Sequence, residues 1–110
     1  MANTFKNAFG SNISDSSYTD VYTVPASTTT VVLGLNICNK TASAVTATVR
    51  ITDTSASVDY QVIDTVSIPG RTSLEIMAGQ KYILEATDIL RVQAGTASAL
   101  DVTLGVMEIT

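Results

Sequence analysis

AVTATVRIT, residues 44–52, decides the fold. Val45, Ala47, Val49 and Ile51 alternate with Thr46, Thr48, Arg50 and Thr52, the period-two pattern of a strand with one buried and one wet face. LDVTLGVM (100–107) repeats it, setting Leu100, Val102, Leu104 and Val106 against Asp101, Thr103, Gly105 and Met107. In TVVLGLNIC (30–38), Val31, Leu33, Leu35 and Ile37 share one face and Val32, Gly34, Asn36 and Cys38 a smaller-sided other, with Gly34 marking a bulge or a close neighbour.

Shorter candidates fill the gaps. They are SYTDVYTV (17–24) ahead of Pro25, SVDYQVI (57–63) with Val58, Tyr60 and Val62 on one side, and SLEIM (73–77) with Leu74 and Ile76 inward. Pro69-Gly70 fits the centre of a type II turn, since proline sets the first φ and glycine accepts the positive second one. Asn39-Lys40-Thr41 and Asp53-Thr54-Ser55 read as further turns. QKYILEATDILR (80–91) permits a helix with Tyr82, Ile83, Ala86, Ile89 and Leu90 on one face. Gly79 upstream and the surrounding strands favour two strands instead, Tyr82–Glu85 and Ile89–Gln93, around a turn at 86–88.

Strands this short and closely spaced, with no long helix between them, predict an all-β protein: a single antiparallel β-sandwich of about eight strands, jelly-roll or immunoglobulin-like, over residues 17–110. The chain of 110 residues is long enough to bury a core without disulfides or metal. That core must be aliphatic, since apolar residues make up 45% but aromatic ones only 5%. Cys38 is the sole cysteine and, following Ile37, is expected to be buried and inert. No run is long enough to cross a bilayer, and the N-terminus lacks the charged start and apolar block of a secretory signal, so a cytoplasmic product without membrane contact is expected.

Composition narrows the chemistry. The chain has no histidine, which removes the commonest general base and zinc ligand. Net charge is −4 and the six cations, Lys6, Lys40, Arg50, Arg71, Lys81 and Arg91, are scattered, so no basic stripe exists for direct nucleic-acid binding. Charged residues are only 15% of the chain, as on a surface that is partly covered or one rich in strand-borne threonine. Asp53 with Asp59, or Asp15 with Asp20, could approach at strand ends, but their spacing matches no calcium loop and they read as solvated turn residues. No catalytic, cofactor or metal residue is assigned, and no enzyme activity or cofactor is expected.

VYTVPASTTTVVLGLNICNKTASAVTATVRI (21–51), IPGRTSLEIMAGQKYILEATDILRV (68–92) and DVTLGVMEIT (101–110) resemble a group of small virion structural proteins of tailed phages, notably those of cyanobacteria and other marine bacteria. The resemblance implies glycine near Ser27 and near Thr87, where this chain departs from the pattern. It also implies a particle component assembled in the host cytoplasm, in contact with capsid or with neck and tail proteins. Head decoration or reinforcement is the first expectation and a neck, tail or fibre adaptor the second. A carbohydrate-binding or host-surface-binding module is a rival from another class. Such modules present aromatic platforms, and this chain has no tryptophan and only Tyr18, Tyr22, Tyr60 and Tyr82 besides two phenylalanines.

Those two, Phe5 and Phe9, lie in MANTFKNAFGSNISDSS, among Asn, Ser and Gly residues that offer little else to pack. Four residues apart, they can share a face of one helical turn, which would be marginal alone. Two placements follow for residues 1–16: an arm that docks Phe5 and Phe9 on an adjacent subunit or another virion protein, or an edge strand in which both rings fold back onto the chain's own sandwich. Many copies joined this way would make a homo-oligomeric, multivalent assembly.

Overall fold

The computed structural model describes residues 2–77 and 80–110. Met1, at the head of the arm, and Gly79, the break upstream of Tyr82, lie outside the described residues. Among the described residues there are nine strands and no helix: β1 (Asn3–Gly10), β2 (Thr19–Thr23), β3 (Thr29–Asn39), β4 (Val45–Asp53), β5 (Val58–Ile68), β6 (Ser73–Glu75), β7 (Tyr82–Leu84), β8 (Ile89–Ala94) and β9 (Leu100–Ile109). One sheet runs β1-β9-β3-β6, with β7 beside the other end of β3, and the second runs β2-β8-β4-β5. Every pairing is antiparallel. With β6 and β7 sharing one strand position, this is the eight-position order of a jelly roll rather than of an immunoglobulin sandwich.

The alternation read from sequence sets the core. Val45, Ala47 and Val49 from β4 meet Leu90, Val92 and Ala94 from β8, and the opposing sheet contributes Val32, Leu35, Ile37, Leu100, Val102, Leu104 and Val106, all buried. A register shift between Val32 and Gly34 changes the phase of β3. Val32, Leu35 and Ile37 therefore point inward while Val31 and Leu33 turn to the outer face, which corrects the expectation that Val31 and Leu33 share a face with Leu35. The bulge expected at Gly34 is its cause. Cys38 falls on the outer phase as well and is half-buried rather than enclosed, because Ile37 takes the inward position.

Residues 80–91 form two strands around a turn, with no helix. At Pro69-Gly70 it is Arg71 that carries the positive φ (59°). Gly70 serves closeness, since a Cβ there would stand 2.2 Å from the Ala42 carbonyl oxygen. Asn39, read as a turn residue, is a fully buried clamp. Its Nδ2 donates to the carbonyls of Ser43 and Ile68, and its Oδ1 accepts from the Thr41 amide.

The N-terminal segment folds back as an edge strand, but the rings of Phe5 and Phe9 do not pack onto the chain's own sandwich, so neither placement expected from sequence is seen whole. β1 pairs with β9 over eight residues, Asn3↔Ile109 to Gly10↔Val102. Ile13, just beyond it, is completely buried in the core.

Candidate interaction surface

β1 alternates like any strand, so Phe5, Asn7 and Phe9 project from the outer face of its sheet while Ala8 packs against the core. Phe5 is 73% and Phe9 68% exposed, although these are the only phenylalanines in the chain. Their spacing is that of one strand face, not of a helical turn.

Register extends the patch across the sheet. Phe5 pairs with Met107, Met107 with Val31 and Val31 with Ile83, giving one apolar row over β1, β9, β3 and β7. Ile83 is 61% exposed, and Leu33 in the bulge 39%. The next row is Asn7, Gly105 and Gly34. Beyond it lie Phe9, Thr103, Asn36 and Glu75, and a shallow depression of about 430 Å³ opens between Phe9, Gly34, Asn36 and Gly105.

The outer face of the β2 sheet has the opposite character. Arg50 bonds Gln61 and Asp59 (3.0 and 3.2 Å) and stacks on the Tyr18 ring at 3.9 Å. Arg91 pairs with Asp20 at 2.8 Å and donates to Thr52. That surface satisfies itself and faces water. Four of the six cations (Lys6, Lys40, Arg50 and Arg91) are paired with carboxylates, which leaves little positive potential for phosphates.

β1 is held by a polar bolt that sequence reading missed. Lys6 points to the inner side of its strand, where Nζ meets Glu108 Oε1 at 2.9 Å. Glu108 Oε2 accepts from the Tyr22 hydroxyl at 2.5 Å, and that hydroxyl lies 2.9 Å from Thr30 Oγ1. The hydrogen bonds from Tyr22 and Lys6 hold the Glu108 carboxyl below the usual carboxylate range. Burial and the Glu108 carboxylate push the Tyr22 phenol up to about 12. Both groups are thereby moved away from neutrality, opposite to the tuning a general acid or base needs. Lys6, Tyr22, Thr30 and Glu108 come from four strands, so no local spacing in the sequence could announce them.

A second concave region lies where the sheets splay. Tyr60, 57% exposed, and Tyr82 line a cleft of about 460 Å³ with Ile51, Ile83, Asp53 and Glu85. The acidic pairs considered from sequence are otherwise engaged: Asp53 accepts from Ser55, Asp59 from Thr52 and Asp20 from Arg91. Among the described residues no group of three or more Cys, Asp or Glu side chains is placed to hold a metal ion.

No protein-family model matches the chain, and no curated protein matches it in sequence.

Proposed function

We propose that this chain is a non-enzymatic structural protein of a phage particle, a head decoration or reinforcement subunit built into a repeating assembly through the outer face of the β1 sheet. One observation carries the reading: the apolar row Phe5–Met107–Val31–Ile83 crosses the outer face of four strands, with Phe5 and Ile83 exposed at its ends and Met107 and Val31 half-buried between them, while the other sheet's outer face is polar and internally satisfied. Contiguous exposed apolar surface on a small domain marks a contact with another macromolecule. The resemblance of residues 21–51, 68–92 and 101–110 to phage virion proteins supplies the kind of particle. The jelly roll agrees with it, since that architecture serves viral shells among other roles, but architecture alone does not assign function.

Phe5 and Phe9 are the partner-binding residues in this reading. Quantitative mass spectrometry of purified particles tests it: hundreds of copies per particle fit a head lattice, and about a dozen fit the neck, tail or fibre adaptor role. Absence of the chain from particles contradicts both.

A second reading has its own observation, the shared cleft of Tyr60 and Tyr82. Two aromatic rings beside the carboxylates Asp53 and Glu85 are a set that stacks on and hydrogen-bonds a neutral sugar, as in a host-surface-binding module. Saturable chemical-shift changes at Tyr60 and Tyr82 with neutral disaccharides, lost in Tyr60→Ala, would establish it.

A further inference from the structure

Register places Tyr60 and Tyr82 on the inner faces of the two sheets. Tyr60 pairs with Ile51, whose side chain packs against the core, so Tyr60 stands on the inward phase of β5. Tyr82 pairs with the fully buried Val32 and stands on the inward phase of β7. The two rings thus approach the mouth of the sandwich from opposite sheets. Tyr82 is half-buried there, but Tyr60 stays 57% exposed. An inward-facing ring this exposed means that the space between the sheets is open at β5 and β7, and the cleft of about 460 Å³ is that opening.

Its charge is one-sided. Asp53, Glu85 and Asp88 line it together with the aliphatic side chains of Ile51 and Ile83, and no Lys or Arg takes part. Lys81, beside Tyr82 in sequence, is exposed and lies outside the lining. The four ion pairs among the described residues engage Glu108, Asp101, Asp59 and Asp20, none of the three cleft carboxylates. Asp53 is bonded by the Ser55 amide and hydroxyl and Asp88 by the Glu85 amide, neutral donors that orient a carboxylate without cancelling its charge. The bonds from Ser55 hold the Asp53 carboxyl below its usual range, so it is ionised at neutral pH. Asp88 is only 8% exposed, and a carboxylate so far out of water is ordinarily paired with a cation. No cation of the described residues pairs with it.

We propose that this cleft binds a small organic cation, an alkylated ammonium group set against the Tyr60 and Tyr82 rings and paired with Asp53, Glu85 and Asp88. The chemistry selects the class. Aromatic faces attract a cation most strongly where it is desolvated, aliphatic walls favour methyl groups over a hydration shell, and the carboxylates supply the counter-charge. A metal ion fits less well, because among the described residues no three acidic side chains are placed to hold one. A neutral sugar would use the rings and leave three negative charges unanswered, so the cation competes with the sugar of the second reading for the same cleft. A phosphate beside the ammonium group would be repelled by those charges. The cleft shares only Ile83 with the apolar row of the outer face, so the particle role and this site can fail separately.

Choline titrated into the isotope-labelled full chain, followed by amide chemical shifts, tests the site. Saturable shifts are expected at Tyr60, Tyr82 and Glu85, with half-saturation between about 1 and 10 mM. The neutral isostere of choline, in which a tert-butyl group replaces the trimethylammonium, should bind about tenfold more weakly, and phosphocholine should also bind more weakly than choline. Tyr60→Ala, which removes an exposed ring, and the double variant Asp53→Asn with Glu85→Gln should each weaken choline by about tenfold. The comparison with the isostere needs no variant, so it decides the matter even if a substitution unfolds the chain. Absence of saturation up to about 100 mM choline, an isostere, phosphocholine or neutral disaccharide that binds as tightly as choline, or an affinity unmoved in both variants would overturn the proposal.

Discussion

The Tyr22 hydroxyl on β2 donates to Glu108 Oε2 on β9 at 2.5 Å, joining the two sheets at the edge where β1 is laid down. Thr30 and Lys6 complete the group, and the Glu108 side chain is only 7% exposed. An inward-pointing charge on an edge strand also discourages unwanted strand pairing, because a partner would have to bury it. The same Lys6 therefore fastens β1 and guards its edge.

Tyr22→Phe removes the hydroxyl and leaves Glu108 with Lys6 alone. A hydrogen bond to a charged, buried acceptor contributes about 1.5–3 kcal/mol, so urea unfolding should show a loss of that size. A change under about 0.5 kcal/mol would mean that the contact is incidental.

The same pair sets two pH limits. Glu108 has a folded pKa below its unfolded one, so its contribution is present above the unfolded value and is lost as pH falls through the folded value. Tyr22 has a folded pKa raised from 10.0 to about 12, so its contribution is complete below pH 10 and is lost as pH rises toward 12. Thermal unfolding followed against pH should decline at both ends, and in Tyr22→Phe the alkaline decline should shrink.

Glycines at 70 and 34 should respond in opposite ways to alanine. Gly70→Ala drives a methyl into the Ala42 carbonyl, backbone against backbone, and should cost about 3 kcal/mol or more. Gly34→Ala meets open space and should leave the monomer unchanged or up to about 1 kcal/mol more stable, since alanine suits a strand interior better. Equal effects in denaturant titrations would contradict the assignment of their roles.

Ser27 (φ 57°) and Thr87 (φ 69°) both hold left-handed backbone, the conformation that glycine adopts without a steric penalty. Ser27→Gly should therefore stabilise the fold, by about 0.5–1 kcal/mol once the flexibility of glycine in the unfolded chain is set against the relieved strain. Thr87 hydrogen-bonds Thr54 across the turn, so Thr87→Gly should gain less or nothing. Differential scanning calorimetry of the two variants would separate them.

Much of this fold was legible because apolar residues recur at every second position over Val45–Ile51 and Leu100–Val106, and most of them are buried in the core. The strands that were misread depart from that pattern. β1 carries Thr4, Lys6 and Ala8 inward and Phe5, Asn7 and Phe9 outward, an inverted polarity that makes sense only once the ladder to β9 and the bolt to Glu108 are seen. In β3 a single bulge reverses the phase, so the aliphatic residues Val31 and Leu33 leave the core for the surface. The candidate surface was hidden for the same reason: Phe5, Met107, Val31 and Ile83 come from four strands and become neighbours only through register.

Cryo-electron microscopy of the intact particle tests the central claim most directly. The expected result is density for many copies of the sandwich in which Phe5 and Phe9 are enclosed in a protein–protein contact on the outer face of the β1 sheet. Copies whose Phe5 and Phe9 face open solvent, or particles with no density for the sandwich at all, would contradict it.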